Sequence, residues 1–216
     1  MFFHEFLEYI PKILQVPLPA ESAHIKMAPL ERVLKMREVN LAVLNPRIAA
    51  VMMLFYPKEG QTHLVLIVRN SYKGVHSSQI AFPGGKYEED DSDFAATALR
   101  ETYEEVGVKP DKIEVIRPFT PTYIPPSNFQ VYPFLGVCKQ EINFYPDPTE
   151  VADIIELPLS LFLDDKILIE TVMTTSYAQN IKIPAFAIDN QIVWGATAMI
   201  LSELKDVLRS SFDLNW

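Results

Sequence analysis

The chain has a single cysteine, Cys138, in 216 residues. An internal disulfide framework is therefore excluded, and a reducing, cytoplasmic setting is the expectation. Long apolar runs are missing as well. No stretch approaches the ~18 residues of a membrane-spanning helix, so no membrane partner is expected. The opening Met1-Phe2-Phe3-His4-Glu5 has an early acid and no basic segment, which argues against a secretory signal. Cations are in the minority: 19 Lys and Arg against 28 Asp and Glu give a net charge of −9. That balance disfavours a nucleic-acid backbone as the main partner. A polyphosphate substrate stays open, because a divalent cation inverts the sign locally. Repeats and low-complexity tracts are absent. What is present, 49% hydrophobic and 22% charged residues, suits one globular domain with an extension.

Phe3, Phe6, Leu7, Ile10 and Leu14 recur at helical spacing, with Pro11 inside the pattern to end or kink the helix. A second helix is expected over residues 30–36. The extension as a whole, residues 1–45, is read as a cap packed on the domain or as a homodimer contact. Residues 48–56 form a buried strand pattern. A turn over 57–61 leads to a second strand at 63–68, a hairpin in which His63 is structural. A polar loop over 69–81 reaches Phe82-Pro83-Gly84-Gly85. Strands are expected at 113–119 and 130–138, joined by a Pro-stiffened loop over 120–128. Glu150 leads a loop into another strand. A hairpin around Asn180, short strands at 184–188 and 191–194, and a closing amphipathic helix over 195–208 complete the pattern, which is that of mixed α/β layers.

The organising stretch is residues 84–108. Asp91, Ser92 and Asp93 offer N-cap side chains, residues 95–99 are good helix formers, and Gly107 is a stop. Leu99, Tyr103 and Val106 make an apolar stripe. Glu101, Glu104 and Glu105 share another face, where Arg100 can pair with Glu104 four residues on. By itself such a trio reads as a solvated acidic face. The Gly84-Gly85 turn beside it, which lets bare backbone approach a ligand, favours instead a set of hard oxygen donors for Mg²⁺ or Mn²⁺.

This stretch resembles the Nudix box, G-x5-E-x7-R-E-U-x-E-E-x-G-U, at Arg100, Glu101, Glu104, Glu105, Gly107 and Val108. Thr102 occupies the inner aliphatic position. The loop is one residue longer than the pattern, so counting from Gly85 puts Asp91 at the first acidic position and counting back from Arg100 puts Ser92 there. The resemblance spans about residues 46–205 and implies an α/β/α sandwich around a mixed sheet, here with an N-terminal helical extension and a domain over 46–216. It also implies hydrolysis of a nucleoside diphosphate linked to another group. Arg69 and Phe82-Pro83-Gly84-Gly85, with Asn70 at the motif's Ser position, resemble the additional motif of coenzyme A diphosphatases. Gly74 and Ser78 depart from it, and Lys73 stands beside the missing arginine. Ile124-Pro125-Pro126-Ser127, Glu150-Val151-Ala152 and Trp194-Gly195-Ala196-Thr197-Ala198 fit the same subgroup.

What the resemblance implies for roles follows residue by residue. Glu101, Glu104 and Glu105 with the Gly85 carbonyl hold the metal, and Arg100 orients a carboxylate. The general base is Glu150 or a box glutamate. Arg69 and Lys73 contact the 3′-phosphate of a coenzyme A-type nucleotide. Phe82 contributes to the substrate site, and Ser127 and Asn128 meet phosphate or pantetheine, unless they serve only the turn. The alternatives are a Nudix hydrolase of ADP-ribose, nucleoside diphosphate sugars or dinucleotides, and a non-catalytic Nudix domain that binds a nucleotide.

Overall fold

A computed structural model of the chain describes residues 1–30, 32–33, 41–70, 79–174 and 179–213. Its axis is strand β1 (Arg47–Lys58). Successive side chains of a strand point to opposite faces. Ala50, Met52, Leu54 and Tyr56 accordingly join one core, and Met53 and Phe55 join the other. Strand β2 (Gln61–Arg69) returns antiparallel, with Phe55 opposite Leu64. The turn between them is only Glu59 and Gly60, both at positive φ (50° and 73°), a backbone twist that matches a two-residue hairpin. Pro57 therefore lies within β1, opposite Thr62, rather than in the five-residue turn expected.

Strands β3 (Ile80–Ala81) and β4 (Gly84–Lys86) pair with β2 and β1. Strand β5 (Ile113–Pro118) runs antiparallel to β7 (Phe129–Cys138), and β7 runs parallel to β1. Strand β6 (Thr122–Ile124) pairs with β7, and β8 (Val151–Pro158) with β2. The sheet is thus mixed. A separate antiparallel sheet holds β9 (Leu168–Met173), β10 (Ile181–Ile188) and β11 (Gln191–Val193).

The central helix Phe94–Val106 covers one face through Ala98 and Val106. The closing helix Gly195–Ser211 and the N-terminal helices Phe3–Glu8 and Ile10–Gln15 cover the other through Phe6, Ile13, Leu201, Leu204 and Leu208. Each such side chain, fully buried, contributes about 1.5–3 kcal/mol. This is the expected α/β/α sandwich with N-terminal helices. The break between the first two helices falls at Tyr9, and Pro11 sits in the first turn of the second, where its missing N–H is no loss. Of the helix expected over 30–36, Leu30, Arg32 and Val33 are helical, and the rest lies outside the described residues. The 120–128 segment is more ordered than a loop. It holds β6 and a 3₁₀ turn, Pro125–Ser127, closed by Asn128 at φ 50°. Among the described residues no helix is long and apolar enough to cross a membrane.

Candidate active site

The central helix starts where Asp93 Oδ1 accepts the Ala96 N–H at 2.8 Å. It stops at Gly107, which takes φ 78° and donates its N–H to the Tyr103 carbonyl. Its buried residues are Thr97, Ala98, Thr102, Glu105 and Val106. The expected stripe of Leu99, Tyr103 and Val106 is thus corrected: Tyr103 is 47% exposed and Leu99 is only partly buried. Thr102 can take the inner position because its hydroxyl donates to the Ala98 carbonyl at 2.6 Å, which hides the polar group within the helix.

That rotation carries Glu105 inward, its side chain 1% exposed. Its Oε2 accepts the Gly84 N–H at 2.8 Å, and its Oε1 accepts from Arg69 Nη1 at 3.2 Å. Burial pushes its carboxyl up; Arg69 and the Gly84 N–H pull it down, while Glu101 and Glu150 push it up again, to about 7. Burial also raises Glu101, opposed by Arg100 and assisted by Glu104 and Glu150. The paired glycines supply the space. A methyl group on Gly85 would overlap the Glu101 carboxylate, and one on Gly84, at φ 153°, would overlap the backbone of Ala50 and Val51.

Arg100 is the hub of the acids. Its Nε and Nη2 grip Asp91 Oδ1 and Oδ2 at 2.9 and 3.0 Å, a two-pronged geometry that lysine cannot copy. Its Nη1 donates to Glu101 Oε1 at 3.0 Å and to Glu104 Oε2 at 2.9 Å, and Nη2 reaches the Lys86 carbonyl. Asp91 also accepts the Glu88 N–H and the Thr97 hydroxyl, at 3.0 and 2.9 Å. The Arg100 bonds above all hold its carboxyl down at about 2, against the effect of burial. Asp91, not Ser92, therefore stands at the first acidic position. The resemblance assigns it no role among the site residues, although its spacing from Gly85 is a signal for one.

The expected metal trio does not converge. Arg100 lies between Glu101 and Glu104, and Glu104 is 54% exposed. Among the described residues no three His, Cys, Asp or Glu side chains form a set that could hold a metal ion. What does stand together is Glu101 and Glu105 beside Gly85. These donors fit Mg²⁺ or Mn²⁺: two desolvated carboxylates, one seated in the space a Cβ would fill, and water completing an all-oxygen shell.

Glu150 comes near by way of the chain around it. The Asp147 N–H donates to the Glu105 carbonyl, and the Asn70 N–H to the Glu150 carbonyl. Glu150 Oε2 then stands 4.0 Å from Arg69 Nη2. Arg69, expected on a substrate phosphate, is engaged by these carboxylates while also lining a cavity of about 570 Å³ next to Gly84 and Gly85. Phe82 and Ser127 line that cavity too, and the Ser127 hydroxyl is buried without a hydrogen-bond partner among the described residues. Asn128 is instead tied into the fold. Its Oδ1 accepts from the Tyr123 hydroxyl at 3.0 Å and its Nδ2 donates to the Leu44 carbonyl. Lys73 lies outside the described residues.

Residues 46–170 match the model of the NUDIX domain. The Nudix hydrolase NudL of Enterobacter sp. (strain 638) is 33% identical over 171 residues, covering 75% of this chain and 83% of that protein. Nudix hydrolase 15, mitochondrial, of Arabidopsis thaliana is 36% identical over 125 residues, or 56% of this chain. The match takes in 44% of the Arabidopsis protein, so the chain spans less than half of that relative. Among solved structures, the Nudix hydrolase RenU from M. smegmatis aligns with a TM-score of 0.53 at 14% identity, covering 76% of this chain and 87% of that one. A MutT/nudix family protein from Enterococcus faecalis aligns with a TM-score of 0.51 at 19% identity, over 90% and 76%. At those identities the structural likeness speaks for the fold alone.

Proposed function

From the premise that the chain belongs to the NUDIX family, we propose that it is a Mg²⁺- or Mn²⁺-dependent diphosphatase of coenzyme A or its acyl derivatives. The observation that carries the reading is the pair Glu101 and Glu105, two desolvated carboxylates held against Gly85 and Gly84, which themselves line the cavity. Burial above all raises both carboxyls, and Arg100 and Arg69 offset it only in part, which is the condition a divalent cation relieves. For coenzyme A in particular the support is the partial upstream motif, Arg69 with Phe82-Pro83-Gly84-Gly85, and the longer loop that brings Asp91 to Arg100. A cavity of about 570 Å³ is ordinary for a small-molecule site. In this reading residues 46–216 are the catalytic domain and residues 1–45 an extension packed on it.

Glu101, Glu105 and the Gly85 carbonyl hold the cation. When bound, it supplies charge neutralisation of the pyrophosphate oxygens and a lower pKa for the attacking water. The chain's own residues do the rest by position. Asp91 fixes Arg100, and Arg100 fixes Glu101. Glu150 accepts the proton of the water whose oxygen attacks phosphorus. The bridging P–O bond breaks, and its oxygen leaves with the second phosphate, giving 3′,5′-ADP and an (acyl-)4′-phosphopantetheine. The test is a metal-supplemented panel with product identification from intact coenzyme A. Release of those two products is the expected result. No turnover of any coenzyme A species, with clear turnover of ADP-ribose, overturns the substrate assignment in favour of nucleoside diphosphate sugars or dinucleotides, the reading that Gly74 and Ser78 favour.

A further inference from the structure

We propose that Glu203, which does not line the cavity, is a positioning residue that sets the cavity's width by joining its two walls. We take the start of the closing helix, at Trp194, Thr197 and Ile200, as one wall and Ile124, Ser127 and Phe129 as the other; all six residues line the cavity. Glu203 lies one turn beyond Ile200 on the same helix and is 0% exposed. Its Oε2 accepts the Thr120 N–H at 3.1 Å, and its Oε1 accepts the Thr120 hydroxyl at 2.5 Å. Thr120 stands just ahead of β6, the strand that carries Ile124 and leads into the 3₁₀ turn with Ser127. Glu203 therefore ties the helix of one wall to the strand of the other.

The same carboxylate also ties in the N-terminal segment. Its Oε1 accepts the Ala20 N–H at 3.0 Å, and His24 Nε2 stands 3.4 Å from Oε2. Arg32, further along that segment, donates from Nη2 to the Tyr123 carbonyl at 2.8 Å, a second hold on the same wall. Burial raises the Glu203 carboxyl, but the His24 and Thr120 contacts prevail and lower it, so the group stays ionised. A buried carboxylate is a poor way to add stability, since a well-packed apolar side chain of similar size does as well or better. What it adds here is a fixed distance between three segments remote in sequence.

This inference rests on the cavity being the substrate site proposed above. The experiment compares Glu203→Gln, Thr120→Val and Thr120→Ser in the full chain with coenzyme A and Mg²⁺. Glu203→Gln and Thr120→Val are expected to raise KM about tenfold while kcat stays within about twofold, and Thr120→Ser is expected to restore the original KM. Coenzyme A binding to the metal-free chain, read from the fluorescence of the cavity residue Trp194, should weaken by the same factor. Unchanged KM and binding with a lowered Tm, or a fall in kcat alone, would overturn the positioning role. Should Glu203→Gln fail to fold, the Thr120 variants decide, because Thr120→Val, close to Thr in shape, loses the hydroxyl's hydrogen bond and Thr120→Ser keeps it. If the original chain neither binds nor cleaves coenzyme A, the substrate reading falls, and the same ratios measured with ADP-ribose decide the role of Glu203.

Discussion

On the proposed function the chemistry turns on Glu105, because its charge is desolvated and its neighbours are fixed. Glu105→Gln keeps the shape and can still accept the Gly84 N–H, yet removes the anion. We expect kcat/KM to fall by at least about 10²-fold, the upper range for loss of a supporting partner at a metal centre, with Tm little changed. An unaffected rate would remove Glu105 from the metal assignment. Asp91 allows a different check, made through stability. Its folded pKa of about 2 lies below the ordinary 3.8, so the ionised form stabilises the fold above about pH 4, and that contribution is lost as pH falls through about 2. Thermal unfolding from about pH 5 to pH 2 should show the original chain losing more Tm than Asp91→Asn. Equal slopes would mean the Arg100 pair adds nothing. Neither residue's environment was legible beforehand. The Glu105 partners Arg69 and Gly84 and the Asp91 partner Arg100 are set by tertiary approach, and a helical wheel carries no information on them.

At the scale of elements, the central helix was legible because its caps and its acid spacing are local. Its buried face was not, since hydropathy counts Tyr103 as apolar and Thr102 as polar, whereas the Thr102 bond to Ala98 reverses their places. The same holds for residues 120–128. Their prolines suggested only stiffness, but Asn128 in the left-handed region closes a turn that lets β6 pair with β7. The local part yields a local prediction. Asp93→Ala removes the cap on Ala96 and should lower unfolding free energy by about 1 kcal/mol in urea, with kcat unchanged. The Gly84-Gly85 turn yields a contrast. An alanine at Gly85 meets a movable carboxylate, so Gly85→Ala should fold and lose activity. An alanine at Gly84 meets fixed backbone of β1 at a positive φ, so Gly84→Ala should fail in thermal stability first. Circular dichroism melts beside activity separate the two, and equal behaviour would mean the turn is not built as described.

For the whole molecule, the strand and helix periods reached only mixed α/β layers, and the family resemblance supplied the α/β/α order, in which both faces of β1 are covered. The site is different in kind: it collects residues from β2, β4, the central helix and the 145–150 segment, and only the fold brings Glu150 and Arg69 to Glu101 and Glu105. Burial above all, and then Glu101 and Glu150, raise Glu105 in a chain of net charge −9, so the folded state without a cation holds desolvation and repulsion that the unfolded chain relieves. A cation that binds only the folded form stabilises it by mass action, about 2.7 kcal/mol at a hundredfold excess over Kd. For a chain of this length that corresponds to a rise in Tm of roughly 5–10 °C. Mg²⁺ or Mn²⁺ should produce such a shift in the original chain, and sodium chloride at equal ionic strength should not. Glu105→Gln should lose most of it. If the variant keeps the full shift, the cation binds to acids elsewhere on the surface, and the pair beside Gly85 is not its site.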